Sequence, residues 1–272
     1  MPSQRAHLFE RDNEMWFPQP ASVGPWSPQA LHGGPVAALC ASVAEEALPG
    51  EGLVTTRLTL DLVRPVPLRP LHVNRQVIKE GRRVNLVAIE VRDEDRTVAL
   101  AWVQRSLEAP FNLPSLEGTG CELVRPADGP ESWPPLDSKL SPRGPAPFYE
   151  FATEMRVPDP VGIYGKRPIE AWIRVYADLL PGVPLSPAAA VMAAADYGNA
   201  LGSPEAPGTY TAFPNADLTV YLARAPQEAW VRLSPETTWL ADGLGHTRCR
   251  LADRYGMLGT SAVLLVLEPL AR

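Results

Sequence analysis

The feature that most constrains this chain is an internal repeat. Leu58-Thr-Leu-Asp-Leu-Val-Arg64 and Leu218-Thr-Val-Tyr-Leu-Ala-Arg224 share four of seven residues at an offset of 160. The same offset relates Asp93 to Asp253, Val98 to Leu258 and Val103 to Val263. A register held over roughly forty residues predicts a duplicated unit, and 272 residues leave each copy the size of a domain.

Each copy repeats one order of elements. Residues 34–48 read as a helix closed by Pro49-Gly50, with Pro35 in the first turn, where a missing N–H costs nothing. In the second copy Ser186 is a candidate N-cap, Pro187 a first-turn residue, and the helix is expected to run to about Leu201. Both helices are rich in Ala and Val on all sides, the pattern of a buried helix. Strand-like runs follow each: 53–63, 72–78, 84–91 and 97–107, then 209–223, 230–233, 237–240, 247–251 and 257–267. One more, residues 169–176, precedes the second helix. A buried helix followed by several antiparallel strands, twice over, is an α+β arrangement with a sheet curled around a central helix in each unit. The units are expected at 1–109 and 161–272. Between them, residues 110–160 hold eleven of the 31 prolines and are expected to form an extended surface connector, anchored by Trp133, Phe148 and Phe151.

Composition narrows the function classes. With 25 basic and 31 acidic residues the net charge is −6, which excludes a generally basic surface for nucleic acid. No run approaches the length of a membrane-spanning helix, so no membrane insertion is expected. The N-terminal stretch is polar and lacks a signal-peptide core, and Cys40, Cys121 and Cys249 lie far apart. The expectation is a cytoplasmic protein without disulfides. No metal-ligand spacing, Gly-x-Ser-x-Gly or phosphate loop is present, so neither metal nor cofactor is expected.

The first half holds Leu31-His-Gly-Gly-Pro-Val-Ala-Ala-Leu39, Val63-Arg64-Pro65, Lys79-Glu-Gly-Arg-Arg83 and Ala101-Trp-Val-Gln104. Glu170-Ala-Trp-Ile-Arg174 and Ala195-Asp-Tyr197 follow in the second. In this order the motifs resemble the acyl-CoA thioesterase II type, a double hotdog family. The resemblance implies two hotdog units in tandem that hydrolyse acyl-CoA substrates without a cofactor.

Asp196 is the leading catalytic candidate. It is the only charge between Leu185 and Ser203, in a helix that should be buried, and a desolvated carboxylate needs partners or a purpose. It could deprotonate or orient an attacking water; the plainer alternative is a structural pair with Arg174. The resemblance implies that the helix aspartate works with a Thr and a Gln. Asn215 falls at the Thr position and retains hydrogen-bonding capacity. Leu264 falls at the Gln position and does not, while Gln104 holds the equivalent place in the first copy. Thr260 or Ser261 could substitute. His32, Gly33 and Gly34 open the first helix, where free N–H groups could hold an oxyanion or contact substrate; the N–H groups near Pro187 and Ala188 are candidates for another such place. Gly81, Arg82 and Arg83 match the family's Gly-Arg turn near the CoA phosphates. Two other functions stay open. One is a non-catalytic acyl-CoA binder, motivated by Leu264. The other is an enoyl-CoA hydratase, which would need Asp242 and His246 to converge. Cys40 and Cys249 read as core packing. A curled sheet leaves edges and an apolar back, so a homo-oligomer is expected.

Overall fold

The computed structural model describes residues 5–108, 125–136, 146–160, 168–202, 215–240 and 243–266. An N-terminal hairpin, β1 (Phe9–Asp12) and β2 (Met15–Pro18), leads to α1 (Gly33–Ala47). Four strands follow: β3 (Leu53–Asp61), β4 (Leu71–Lys79), β5 (Val84–Asp93) and β6 (Arg96–Leu107). A short helix α2 (Pro147–Ala152) runs into β7 (Thr153–Arg156), then β8 (Ala171–Val175) and the small pair β9 (Asp178–Leu180) and β10 (Val183–Pro184). Helices α3 (Pro187–Ala195) and α4 (Gly198–Gly202) precede β11 (Asp217–Leu222), β12 (Trp230–Trp239), β13 (Leu244–Asp253) and β14 (Gly256–Val266).

Twelve strands form one antiparallel sheet in the order β1-β2-β4-β5-β6-β3-β11-β14-β13-β12-β8-β7. That order reads the same from either end once each strand is exchanged for its copy. The two halves join through β3 and β11, where Thr59 pairs with Thr219, two residues 160 apart. A local two-fold relation between the copies therefore passes through this pair. The repeat found in the sequence is the symmetry of the sheet.

Alternation explains which face covers the helices. Along β5, and along β14 from Gly259 onward, every second residue is buried, and the buried set includes Val87, Ile89, Val91, Val263 and Leu265. α1 buries residues 34–44 without interruption and α3 buries 188–195, which is what helices apolar on all sides require. The two helices pack against each other through small residues. A methyl at Gly34 would lie 2.6 Å from the Ala193 carbonyl oxygen and 2.9 Å from Phe148, so glycine is needed for this close approach.

Several details differ from the sequence reading. The second helix does not run unbroken to Leu201: it tightens at Asp196, where Tyr197 N donates to the Ala194 carbonyl three residues back, and resumes as α4. The two runs 230–233 and 237–240 are one strand, β12, that includes Pro235. Only Trp230–Leu233 pair with β8, so the N–H that proline lacks falls where β12 has no second neighbour. The described part of the connector is not only an extended strap. Its α2 inserts Phe148, which is fully buried, and Trp133 is buried with Arg232 stacked 4.8 Å above its ring. Phe151 is 55% exposed and anchors nothing. Thr153–Arg156 is the edge strand β7, in the place that β1 holds in the first half.

Candidate active site

The N-terminus of α1 and the C-terminus of α3 meet at the Asp196 carboxylate. Asp196 is 4% exposed. Its Oδ2 lies 2.7 Å from His32 Nδ1, and its Oδ1 accepts a hydrogen bond from Asn215 Nδ2 at 2.5 Å. The same Asn215 amide donates to the Asp196 carbonyl oxygen at 3.1 Å, which satisfies a carbonyl freed by the end of α3. Asn199 Nδ2 in turn donates to Asn215 Oδ1 at 2.5 Å. The sheet side of the cluster is thus held by two asparagines. On the other side, a methyl at Gly33 would sit 2.7 Å from both carboxylate oxygens, so the carboxylate rests directly on the bare backbone of the first helical residue. The positive end of α1 favours a negative charge there.

His32 is the N-cap of α1, and its Nδ1 is also 3.1 Å from Gly34 N. One nitrogen cannot both accept from Gly34 and donate to Asp196. The shorter contact, to a carboxylate oxygen, requires a proton between the two atoms and places it on Nδ1. With Nδ1 turned to Asp196, Nε2 is the ring nitrogen left to face a substrate or water. The imidazole packs against two aromatic rings. Phe148 of α2 and Tyr197 lie 5.0 and 4.9 Å from it, and are themselves stacked at 5.9 Å. Burial pushes the Tyr197 hydroxyl far above its ordinary range, so it stays protonated; it shares a hydrogen bond with Thr153 at 3.3 Å.

The cluster brings together Asp196, Asn215, His32, Gly33 and Gly34. Arg174 pairs with Glu154, not with Asp196, so the purely structural pairing considered for the aspartate is not formed. The remaining candidates lie elsewhere. Thr260 is exposed on the outer face of β14, while Ser261 is buried beside Cys249; both line a hollow of about 430 Å³ that Asp196 does not line. Leu264 is 47% exposed on that outer face, where alternation places it with Thr260, so the inner-face cluster takes no side chain from this position. Gln104 is likewise on the outer face of β6 and only approaches Ser106, at 3.4 Å.

Gly81, Arg82 and Arg83 form the turn between β4 and β5. Arg83 O accepts from Leu107 N, and Leu107 pairs with Leu53 at the start of β3. Asp196 and Asn215 adjoin the other end, where Asp217 pairs with Asp61. Nine residues of β3, about 26 Å, separate the two ends. His246 is exposed at the start of β13 and does not join Asp196; Asp242 lies outside the described residues. Burial pushes the Cys40 and Cys249 thiols up to about 12, as inert core cysteines require. Asn199 and Phe148 were not anticipated in the site.

Comparison with known proteins agrees with this architecture. Residues 22–105 match the model of the acyl-CoA thioesterase N-terminal domain, and residues 124–267 that of the acyl-CoA thioesterase C-terminal domain. No curated protein matches the sequence. Among solved structures, a putative thioesterase II from Thermobifida fusca YX superposes with a TM-score of 0.72 at 18% identity, covering 98% of each chain. A putative thioesterase from Novosphingobium aromaticivorans gives 0.69 at 23% identity, covering 96% of this chain and 98% of the other. A conserved hot dog fold protein of unknown function from Alicyclobacillus acidocaldarius gives 0.68 at 15% identity, covering 96% and 95%. The sheet wrapped twice around a helix is therefore a double hotdog fold. The chain belongs to the acyl-CoA thioesterase family, whose N- and C-terminal domains it carries in tandem.

Proposed function

We propose that the chain hydrolyses acyl-CoA thioesters to the free acid and CoA, with Asp196 and His32 as the pair that activates water. The observation that carries this reading is the 2.7 Å contact between a buried carboxylate and an imidazole at the start of a helix. Asp196 fixes the tautomer and stabilises the imidazolium that forms when His32 Nε2 takes a proton from water. The resulting hydroxide adds to the thioester carbonyl carbon. The positive end of α1 favours the oxyanion that develops. Collapse of the tetrahedral intermediate breaks the carbon–sulfur bond, and the proton held by His32 passes to the CoA thiolate.

Asn215 and Asn199 hold the carboxylate in place and take no part in proton transfer. A second reading is a protein that binds acyl-CoA without turning it over. The same experiment separates the two: release of free thiol from a panel of acyl-CoA chain lengths, for wild type and Asp196→Ala. Turnover that depends on Asp196 supports hydrolysis. Tight binding with no turnover in wild type supports the binder, and turnover unaffected by the substitution refutes the mechanism.

A further inference from the structure

Arg57 and Asp61 share the outer face of β3, four residues apart, and neither has a hydrogen bond or ion pair among the described residues. The Arg57 Nε is closed off from solvent and has no hydrogen-bond partner there. Asp61 stands opposite Asp217 on β11, so two carboxylates face each other where the two copies join. Like charges directly opposed across a strand pair are destabilising. Burial and the charge of Asp61 both raise the Asp217 pKa. At the other end of the same strand pair, Arg57 faces Tyr221. The outer face is thus acidic at one end of the β3–β11 pair and basic at the other.

Large apolar side chains surround these charges. Leu100 is the neighbour of Asp61 on its other side, and Leu264 N donates to Asp217 Oδ1 at 2.7 Å. Trp102 is beside Thr59, midway between the acidic and the basic row. Leu100, Trp102, Tyr221 and Leu264 are 40–52% exposed. A contiguous apolar patch of this kind marks an interaction surface. The six central strands, from β5 to β13 in the sheet order, lie about 4.8 Å apart and are about nine residues long, so their outer face covers about 900 Å². A stable interface takes about 800 Å² from each partner.

We propose that two copies of the chain pack through this face, the second turned about an axis that lies in the sheet and runs across the strands. That turn exchanges the two ends of the β3–β11 pair, so Arg57 meets the partner's Asp61 and Asp61 meets the partner's Arg57. Asp217 then accepts from the partner's Tyr221. The middle row keeps its place, and Trp102 packs on the partner's Trp102. A turn about an axis along the strands would instead set Asp61 against the partner's Asp217 and crowd four carboxylates together. The charges therefore select the orientation, and the apolar side chains supply the burial. The helices and the Asp196 cluster lie on the opposite face of the sheet, so this pairing does not depend on the proposed hydrolysis.

Analytical ultracentrifugation of the full chain tests this, with the melting temperature of each variant as the check on folding. Wild type at micromolar concentration should sediment as twice the 29.6 kDa chain. Asp61→Arg relieves the repulsion at Asp217 and so leaves the fold intact, yet it sets arginine against arginine at two places in the dimer. It should raise the dissociation constant about a hundredfold or more, and Arg57→Asp should do the same with carboxylates. The double variant Arg57→Asp/Asp61→Arg restores both pairs in the inverted arrangement and should recover the dimer to within about tenfold of wild type. Trp102→Ala should weaken it about tenfold. A wild type that stays a single chain overturns the proposal and leaves the face to an unlike partner. A dimer that neither single reversal weakens overturns it too, as does a double reversal that fails to recover what the single ones lose.

Discussion

Gly33→Ala places the smallest possible wedge against the Asp196 carboxylate. The added methyl would lie 2.7 Å from both Asp196 oxygens and 2.9 Å from Cγ, where ordinary contact begins near 3.4 Å. The carboxylate must therefore retreat by about 0.7 Å. It cannot do so and keep both the 2.7 Å contact to His32 and the 2.5 Å bond from Asn215. A displacement of this size in the group that orients the proposed base, His32, costs up to about a hundredfold in rate. The loss of one charge-assisted hydrogen bond, about 2 kcal/mol, gives about thirtyfold by a separate route. The backbone at Gly33 is not in the left-handed region, and alanine is the better helix former, so the fold should survive. The assay is thiol release from acyl-CoA, with melting temperature as the control. We expect kcat to fall about thirty- to a hundredfold with a melting temperature near that of wild type. A Gly33→Ala protein that is folded and retains kcat within twofold would refute the claim that this carboxylate, in this position, takes part in the chemistry.

Three further outcomes follow from the packing around the site and the sheet. Asn215→Ala removes the donor that holds Asp196 Oδ1 and should lower kcat about tenfold, or about 1.4 kcal/mol, as read from steady-state kinetics. Phe148→Ala empties a fully buried position over His32 and should cost about 3 kcal/mol or more in chemical denaturation; an unchanged midpoint would show that α2 does not pack there. Asp253 is buried, which alone would raise its pKa, but hydrogen bonds from Arg224 and from the Gln227 and Tyr255 N–H groups outweigh burial and hold it below the ordinary range. Its stabilisation is full above the unfolded value of about 3.9 and is lost as pH falls through the depressed folded value. Asp253→Asn should therefore cost about 3 kcal/mol at pH 7 and progressively less below about pH 4; a gap that stays constant down to pH 3 would contradict this.

Much of the fold was legible because duplication turns weak local signals into a consistent pattern. The 160-residue offset located the two copies, and the structure places it at the Thr59–Thr219 pair on which the sheet is centred. The hairpin β1–β2 was missed although its signal was present: Asn13 has a φ of 54°, the left-handed turn conformation that asparagine tolerates, between runs that contain Phe9 and Trp16. In the site, Asp196 stood out as the one charge in an apolar helix. Its partnership with His32 did not, because the two residues are far apart in the chain and meet only through the packing of α1 on α3. Asn199 could have been noticed as a second polar residue three positions after Asp196. Phe148 carried no such signal, since its role depends on how the proline-rich segment folds back over the helix start. The departure at Leu264 looked serious in the sequence, yet strand alternation turns that side chain to the opposite face from Asp196.

The most direct test is the turnover of Asp196→Asn, which keeps the volume of the side chain but removes its charge. With the carboxylate gone, His32 loses both its oriented proton and the stabilisation of its imidazolium. Measured on the best acyl-CoA of a chain-length panel, kcat should fall about a thousandfold while KM changes by less than about threefold. A kcat equal to that of wild type would contradict the account.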